Sequence, residues 1–330
     1  MAHSAELHEL VLLIPVYNDW EALQLLLPAI DRALADVPGR ARVVLIDDGS
    51  TMALPATFLA EGLKHIAQVD RLVLRRNLGH QRALAIGLCH VWEHCPCDAV
   101  LIMDGDGEDA PSDITRLMEQ YRREGGAKVV FAERARRSES LRFRICYQMY
   151  RAAHLLLTGI HVKVGNFSLV PRALLSQLVV VSELWNHYAA AVFKARLAHV
   201  GVPTRRATRL QGKSRMNFVA LVVHGLSAVS VFSDLAGVRL LICSGVVMLG
   251  AVALLALTLG VRLLTGAAVG MWTAISGGIL LVLLLQIGAF ALLACFITLG
   301  ARNHAAFIPQ RDYRFFVDGV NTLYEADEHA

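Results

Sequence analysis

Acidic side chains follow one apolar segment of the sequence at a spacing that suits metal binding. Asp104 and Asp106 stand one residue apart, directly after the apolar run 99–103. Two carboxylates at this spacing can reach one hard cation, and Mg²⁺ typically takes one or two carboxylates together with substrate phosphates. Glu108 and Asp109 follow, and a carboxylate there could act as a general base. An ordinary solvated acidic loop would show the same residues, so this cluster alone does not distinguish a metal site from such a loop.

Two more polar clusters follow apolar segments nearer the N-terminus. Tyr17 comes just after the segment 10–16, where its ring could stack on a nucleotide base. Asp47 and Asp48 come after the next apolar segment, and their carboxylates could accept hydrogen bonds from a base or a ribose. A simpler interpretation of this second cluster is the N-cap of a helix over 54–66, formed by the hydroxyl residues that come next.

A fourth cluster combines cations with a predicted helix start. Arg75 and Arg76 precede Asn77 and Gly79, and the helical pattern begins at His80. The N–H groups at such a start attract anions such as phosphate. His80 could contact a diphosphate there, or it could simply begin the helix.

The elements that position these clusters alternate in the manner of a βαβ series. Parallel strands joined by helices bind their ligands at the carboxyl ends of the strands, which is where all four clusters fall. The predicted strands cover 10–16, 41–46, 71–74, 99–103 and 128–132, and the predicted helices cover 20–35, 54–66, 80–92 and 112–123.

The C-terminal third is nearly free of charge, although the chain as a whole is 18% charged. Arg262 is the only charged residue over 240–301. The uncharged run 240–261 and the apolar stretch 272–299 are each long enough to cross a bilayer, which takes about 20 residues. Buried core helices are the alternative. The preceding segment 217–233 is predicted to be a helix, either lying on the membrane surface or packed on the body of the protein.

Charge is divided unequally along the 330 residues. Residues 1–121 hold 9 basic and 18 acidic residues, whereas 122–215 hold 18 basic and 4 acidic ones. A basic segment before a membrane span fits attraction to anionic lipid or to a phosphate-bearing ligand, and an ordinary solvated surface is the alternative. Lys and Arg flank the two spans, while their connection carries only Arg262. The positive-inside rule therefore predicts that both termini and the N-terminal body are cytoplasmic.

In this order the clusters resemble the GT-A glycosyltransferases of family 2, and more narrowly the polyprenyl-phosphate glycosyltransferases that include dolichol-phosphate mannose synthases. The resemblance covers about residues 10–240. It implies an α/β, Rossmann-like GT-A domain that transfers a sugar from a nucleotide diphosphate to a polyprenyl phosphate, with inversion and with Mg²⁺ or Mn²⁺. The segments that carry it are PVYND, VVLIDDGST, RRNLGHQRALAIGL, VLIMDGDGEDAP, VGNFSLVPR and RLQGKSR.

The resemblance also implies roles for individual residues. Asp104 and Asp106 would engage the metal and the diphosphate, and they form the catalytic set together with Glu108 and Asp109. The residues expected to bind the donor are Pro15, Tyr17, Asp19, Asp47, Asp48, Asn77 and Gly79. Those expected to bind the acceptor or a phosphate are Arg134, Arg136, Asn166, Arg209, Lys213 and Arg215.

Departures from the family pattern fall mainly on the acceptor side. The usual Gly-Asp-Phe reads Gly165-Asn166-Phe167, which removes a carboxylate. A phosphate acceptor tolerates this loss, because its second pKa of about 6 leaves it anionic near neutrality. A lipid hydroxyl acceptor, of diacylglycerol or sphingolipid type, would need a general base such as Glu108 or Asp109. An inactive membrane scaffold is the alternative from another class.

The sequence thus predicts a cytoplasmic GT-A domain over 1–215, an interfacial amphipathic helix over 216–237, two transmembrane helices within 238–301 and a cytoplasmic tail over 302–330. The expected partners are a nucleotide-sugar donor, a polyprenyl-phosphate or other lipid acceptor and the membrane, which is expected to be the bacterial inner membrane. No nucleic acid is expected as a partner, and self-association into a homo-oligomer is left open.

Overall fold

The computed structural model describes residues 7–59, 62–134, 148, 152, 155–159, 164–204, 207–211, 218–265, 271–301 and 307–326. The chain divides into two compact units. The first, called the sheet unit here, combines residues 1–139, 162–231 and 307–330. The second, called the helical unit, combines residues 140–161 and 232–306.

One mixed sheet of eight strands forms the centre of the sheet unit, in the order β7-β5-β6-β4-β1-β2-β3-β8. The four strands β4, β1, β2 and β3 are parallel to one another, whereas β6 runs antiparallel to both of its neighbours and β8 runs antiparallel to β3. The strands are β1 Glu9–Val16, β2 Arg40–Asp47, β3 Ile66–Leu74, β4 Ala99–Ile102, β5 Val129–Arg134, β6 Val164–Pro171, β7 His199–Thr204 and β8 Val317–Glu325.

Helices cover both faces of this sheet, and the central strands are therefore apolar almost throughout. In β2 the residues alternate between two cores: Val43 and Leu45 pack on the side of α1, and Val44 and Ile46 pack on the side of α2. Before the helical unit, the described helices of the sheet unit are α1 Trp20–Ala33, α2 His80–His94, α3 Ile114–Arg123, α4 Arg172–Leu178, α5 Tyr188–Lys194 and α6 Phe218–Ser230.

The sequence-based prediction of a helix over 54–66 is wrong. Residues 56–59 form a turn, the described residues on either side of it, 51–55 and 62–65, are bends and irregular backbone, and β3 begins at Ile66. Leu59 and Gly62 have φ values of 61° and 71°, which a right-handed helix does not allow. The side chain of Asp31 ends the segment by accepting the backbone N–H groups of Lys64, His65 and Ile66.

A strand that the sequence does not predict, β8, closes one edge of the sheet. Residues of β8 pair with β3 from Gln68↔Glu325 to Leu74↔Val317. Side chains reinforce the pairing: the Thr322 hydroxyl donates to Asp70 at 2.8 Å, and the Tyr324 hydroxyl donates to the Leu63 carbonyl at 2.7 Å. A short helix, α9 Pro309–Asp312, precedes this strand. The segment after the apolar helices is therefore part of the sheet unit.

Two long helices form most of the helical unit, α7 Ser233–Thr265 and α8 Met271–Ala301. Both are long and apolar enough to cross a membrane. Most of their large apolar side chains are exposed in the protein, which argues against buried core helices. The two helices pack antiparallel with small residues in between: a Cβ on Gly277 would lie 2.5 Å from Leu255, and one on Gly237 would lie 3.1 Å from the Cys295 sulfur.

Candidate active site

The loops that follow β1 and β2 are fastened together at the carboxyl edge of the sheet. Asn18, with a φ of 54°, accepts the N–H groups of Thr51 and Met52 on its side-chain oxygen at 2.9 and 2.8 Å. The backbone N–H of Asn18 donates in turn to the Ser50 hydroxyl at 3.0 Å. Ser50 and Thr51 therefore connect the loops after β1 and β2. Among the described residues they do not cap a helix, contrary to the simpler interpretation of this cluster.

Asp47 and Asp48 are almost fully buried and hold loops in place. Asp47 accepts hydrogen bonds from Arg71 and from the Ser50 N–H, the latter at 2.8 Å. The two oxygens of Asp48 accept the N–H groups of Leu78 and Gly79 at 2.7 and 2.9 Å. Burial raises the pKa of Asp48, although these two hydrogen bonds oppose the shift. Both carboxylates thus shape the place where a donor would bind.

The loop after β3 lies directly against the loop after β2, and a glycine makes this approach feasible. Gly49 has a φ of 70°, and a Cβ at this position would lie 2.6 Å from the backbone nitrogen of Asn77. Asn77 and Gly79, expected from sequence to bind the donor, therefore lie beside Asp48 at the carboxyl edge.

The acidic loop after β4 contains both half-buried and buried carboxylates. Asp109 is only 4% exposed and accepts the Asp104 N–H at 2.9 Å, so it braces the loop from inside. Asp106 accepts the Glu108 N–H at 3.0 Å. Asp104, Asp106 and Glu108 are half-buried. Of the two predicted base candidates, Glu108 is thus the more accessible to a substrate.

Arg209 lies across this acidic loop. Its guanidinium is 3.3 Å from Asp106 and 3.4 Å from Asp19, and it is 18% exposed. The backbone holds it there, because the Leu210 N–H donates to the Asp106 carbonyl at 3.0 Å. Gly107, with a φ of 80°, leaves room for the Leu210 side chain. The structure thus joins the predicted donor residue Asp19, metal residue Asp106 and phosphate residue Arg209, which are more than 80 positions apart in sequence.

A chain of hydrogen bonds approaches the acidic loop from β6. The Asn166 side chain lies 2.7 Å from the His80 ring nitrogen Nε2, which is 3.4 Å from an Asp104 oxygen. Gln81 donates to Asn166 at 3.2 Å and accepts the Tyr188 N–H at 2.7 Å. His80 was considered from the sequence as a possible diphosphate contact or a simple helix start, and Gln81 was not predicted to form the site. Their position at a helix start was visible in the sequence, but the contact with Asn166, more than 80 residues away, was not.

The remaining predicted acceptor residues are only partly covered by the structure. Arg134 is the last residue of β5, next to β6 and β7 in the sheet. Arg136, Lys213 and Arg215 lie outside the described residues. On the donor side, Pro15 is buried, whereas Tyr17 is 37% exposed at the loop after β1.

A divalent cation fits the donor set of the acidic loop. Asp104 and Asp106 offer carboxylate oxygens, the ligands that Mg²⁺ and Mn²⁺ prefer. Within the described part of the chain, no group of three or more His, Cys, Asp or Glu side chains could hold a metal by itself. A cation at this loop would therefore take its other ligands from a bound phosphate and from water, as Mg²⁺ commonly does.

Comparison with known proteins identifies the family. The model of Glycosyl transferase family 2 matches residues 11–179. Among curated relatives, the undecaprenyl-phosphate 4-deoxy-4-formamido-L-arabinose transferase of Klebsiella pneumoniae strain 342 is 29% identical over 219 residues. That of Erwinia tasmaniensis is 26% identical over 215 residues. Both alignments cover 63% of this chain and 63% of the relative, so a third or more of each relative's length is unmatched.

Solved structures share the fold of this chain. The glucosyl-3-phosphoglycerate synthase of Mycobacterium tuberculosis, in complex with Mn²⁺ and UDP-glucose, superposes with a TM-score of 0.50 at 14% identity. The match covers 70% of this chain and 79% of that chain. At this identity the likeness concerns the fold alone, and it confirms the GT-A-like fold expected from the sequence.

Proposed function

We propose that this chain, which belongs to glycosyltransferase family 2, moves a sugar from a nucleotide-diphosphate sugar to a polyprenyl phosphate in the membrane. The family match and the names of the curated relatives support this assignment. The structural observation that carries it is the meeting of Asp104, Asp106 and Arg209 at the carboxyl edge of the sheet. Carboxylates for a cation beside a guanidinium for phosphate form a site suited to a diphosphate leaving group.

The donor is proposed to bind over the loops after β1, β2 and β3. Tyr17 offers an exposed ring for a base, next to Pro15 and Asp19. Asp47 and Asp48 support the site from inside the protein: Asp47 holds the loop after β2 through the Ser50 N–H, and Asp48 holds the loop that carries Asn77 and Gly79. In this arrangement the nucleoside lies along the edge and its diphosphate points to the acidic loop.

Mg²⁺ or Mn²⁺ is proposed to be held by Asp104 and Asp106. When bound, such a cation neutralises charge that develops on the leaving diphosphate. The positive charge of Arg209 would also stabilise the negative charge on the leaving diphosphate. Its contacts with Asp19 and Asp106 position the guanidinium where the diphosphate would arrive, and phosphate oxygens can replace carboxylate oxygens as its partners.

The acceptor is proposed to react as a phosphate anion, in a single displacement that inverts the anomeric carbon. A phosphate oxygen forms the new bond to this carbon as the bond to the nucleoside diphosphate breaks. Because the acceptor is already anionic, no side chain has to remove a proton. This agrees with an amide at Asn166 and with the burial of Asp109. The proposed phosphate contacts on the acceptor side are Arg134, Arg136, Asn166, Lys213 and Arg215.

The helical unit is proposed to place the acceptor within reach. Helices α7 and α8 would span the membrane, with the sheet unit and both termini on the cytoplasmic side. The amphipathic helix α6 exposes Val223 and Leu226, which supports the proposal that it lies on the membrane surface. The domain limits predicted at residues 215, 237 and 301 remain part of this proposal.

Carboxamide substitutions test the metal and diphosphate site. Asp104→Asn or Asp106→Asn should lower sugar transfer by at least about a hundredfold, because each removes a negative charge from the proposed cation site. Asp36→Asn, at an exposed position after α1, is the matched control and should retain wild-type transfer. The measurement is the incorporation of labelled sugar from a panel of nucleotide sugars into membrane lipid. Wild-type transfer by either site variant would contradict the assignment.

The lipid product separates the proposal from its rivals. A glycosyl phosphate is cleaved by mild acid, whereas a glycoside of a lipid hydroxyl survives this treatment. An acid-labile product supports the polyprenyl-phosphate acceptor, and an acid-stable product would show a lipid hydroxyl acceptor instead. Failure of the whole donor panel to yield transfer or donor hydrolysis would favour an inactive scaffold.

A further inference from the structure

Asn166 lies where strand β6 extends beyond the end of β4, beside the acidic loop. The two strands pair antiparallel as far as Ile102↔Ser168, and Asn166 lies two residues before Ser168, beyond the last residue of β4. Its side-chain nitrogen is 2.7 Å from a nitrogen of the His80 ring, and that ring nitrogen is 3.4 Å from an Asp104 oxygen. The Asn166 amide is therefore at the place proposed for transfer to the acceptor.

The orientation of this amide follows from a neighbour that has only one possible role. The Tyr188 backbone N–H can only donate, so the Gln81 atom 2.7 Å away is the side-chain oxygen. Gln81 therefore turns its NH₂ group to Asn166, and the atom that accepts there, at 3.2 Å, is the Asn166 side-chain oxygen. The NH₂ end of Asn166 is consequently directed away from Gln81, to the side of the acidic loop.

A second series of hydrogen bonds fixes the backbone of Asn166. The Ser168 hydroxyl donates to the Asn166 carbonyl at 2.8 Å, so the Tyr188 hydroxyl, 2.7 Å from that of Ser168, is the donor of this pair. Tyr188 and Ser168 are both fully buried. Because the backbone of Asn166 is held in this way, the contact with Gln81 decides which end of the amide faces the site.

From this arrangement we infer that Gln81 is a positioning residue that turns the Asn166 NH₂ group toward the acceptor phosphate. An ionised phosphate only accepts hydrogen bonds, so the NH₂ end of the amide attracts it and the oxygen end would repel it. A lipid hydroxyl can pair with either end, so the orientation favours a phosphate acceptor. This inference rests on the proposed function, because it assumes that acceptor.

Two substitutions at Gln81 separate an orienting role from a structural one. Gln81→Glu keeps an oxygen for the Tyr188 N–H but turns a second oxygen to Asn166, whose amide should then rotate and present its oxygen to the acceptor. Gln81→Met removes both hydrogen bonds and allows either orientation. An orienting role predicts that Glu impairs the use of the acceptor more than Met. A structural role predicts the reverse, because Met loses both bonds and a carboxylate in the first turn of α2 is favourable.

The measurement is the KM for undecaprenyl phosphate and the KM for the nucleotide sugar, with the full chain purified in detergent. Gln81→Glu should raise the KM for the lipid about tenfold or more, as expected for a lost hydrogen bond to a charged group, and should leave the KM for the donor unchanged. Gln81→Met should raise the KM for the lipid less. Gln120→Glu is the matched control in α3, where the amide also donates to a carboxylate oxygen, and should leave both KM values unchanged.

The outcomes separate this inference from the proposed function. Transfer to undecaprenyl phosphate with the same lipid KM in wild type and Gln81→Glu would overturn the orienting role and leave the proposed function intact. A larger rise for Gln81→Met than for Gln81→Glu, or equal rises of the lipid and donor KM, would show a structural role instead. Wild-type protein that transfers no sugar to undecaprenyl phosphate from any donor of the panel would overturn both.

Discussion

Single residues in this protein show how burial changes the role of a polar group. Sequence reasoning placed Asp47, Asp48 and Asp109 at the correct edge of the sheet. Tertiary structure then turned them inward, where they accept backbone or side-chain donors and brace the loops. Asp104 and Asp106 remain half-buried on the same edge. A carboxylate in a motif can therefore build the site without contacting the substrate.

His90 gives a prediction about stability and pH. Burial, with the neighbouring His94 imidazole next in importance, lowers the pKa of His90 from 6.5 to about 4. Asp70, Glu93 and Arg42 also face it. Between these pH values the unfolded chain binds a proton that the folded chain does not, so stability is present above pH 6.5 and falls as the pH drops toward 4. The loss is at most about 3 kcal/mol.

Thermal unfolding in detergent at a series of pH values between 7.5 and 4.5 measures this effect. His90→Leu removes the titrating group and should flatten the pH dependence, whereas His65→Leu, at an exposed position, should keep the wild-type slope. Equal slopes for wild type and His90→Leu would contradict the assignment.

At the scale of elements, the sequence predicted most of the sheet unit because its signals are local. Continuous apolar runs identified β1, β2 and β4, and helical periodicity identified α1, α2 and α3. The segment 54–66 also has helical periodicity, but Asn18 holds Thr51 just before it and Asp31 holds His65 at its end, and a local pattern does not contain these contacts. Strand β8 was missed because only its partner β3 defines it as part of the sheet.

The packing of α7 against α8 predicts different effects of substitution at two neighbouring glycines, Gly277 and Gly278. Gly277→Leu places a side chain where Leu255 already lies, at 2.5 Å from the first added atom, and should separate the helices. Overpacking of this kind costs about 1–3 kcal/mol, so the unfolding midpoint in detergent should fall by several degrees. Gly278→Leu should have little effect, because nothing lies within 4 Å of an added Cβ there.

Comparable midpoints for these two variants would show that the helices do not pack through Gly277. Gly288→Leu is expected to lower the unfolding midpoint less than Gly277→Leu, since an added Cβ at Gly288 would lie 3.8 Å from the Ser244 hydroxyl, an ordinary contact distance. The order of the three variants, with Gly277→Leu the least stable, therefore tests the register of the pair.

At the scale of the whole molecule, the unequal distribution of charge agrees with the proposed membrane orientation. The basic segment 122–215 and the arginines beyond Ala301 belong to parts of the chain proposed to face the cytoplasm. The connection between α7 and α8 carries no charge from residue 263 onward. Residues 266–270 should therefore lie on the opposite side of the membrane from the sheet unit.

Cysteine labelling in intact cells tests this orientation. In a chain with the exposed Cys243 changed to Ser, Ala267→Cys should react with a membrane-impermeant maleimide, whereas Asp36→Cys should react only after lysis. Both variants should fractionate with the membrane after alkaline washing. The reverse labelling pattern would place the sheet unit outside the cytoplasm and contradict the proposed face of the reaction.

The place of β8 in the chain has a consequence for how the protein is made. The strand that covers β3 is encoded more than 240 residues after it, beyond both apolar helices. A ribosome therefore makes this strand after both helices. Until then the edge of β3 is open, and unpaired strand edges invite aggregation. The sheet is thus completed only after both apolar helices have been made, and in the proposed membrane orientation this order would link folding of the sheet unit to insertion in the bilayer.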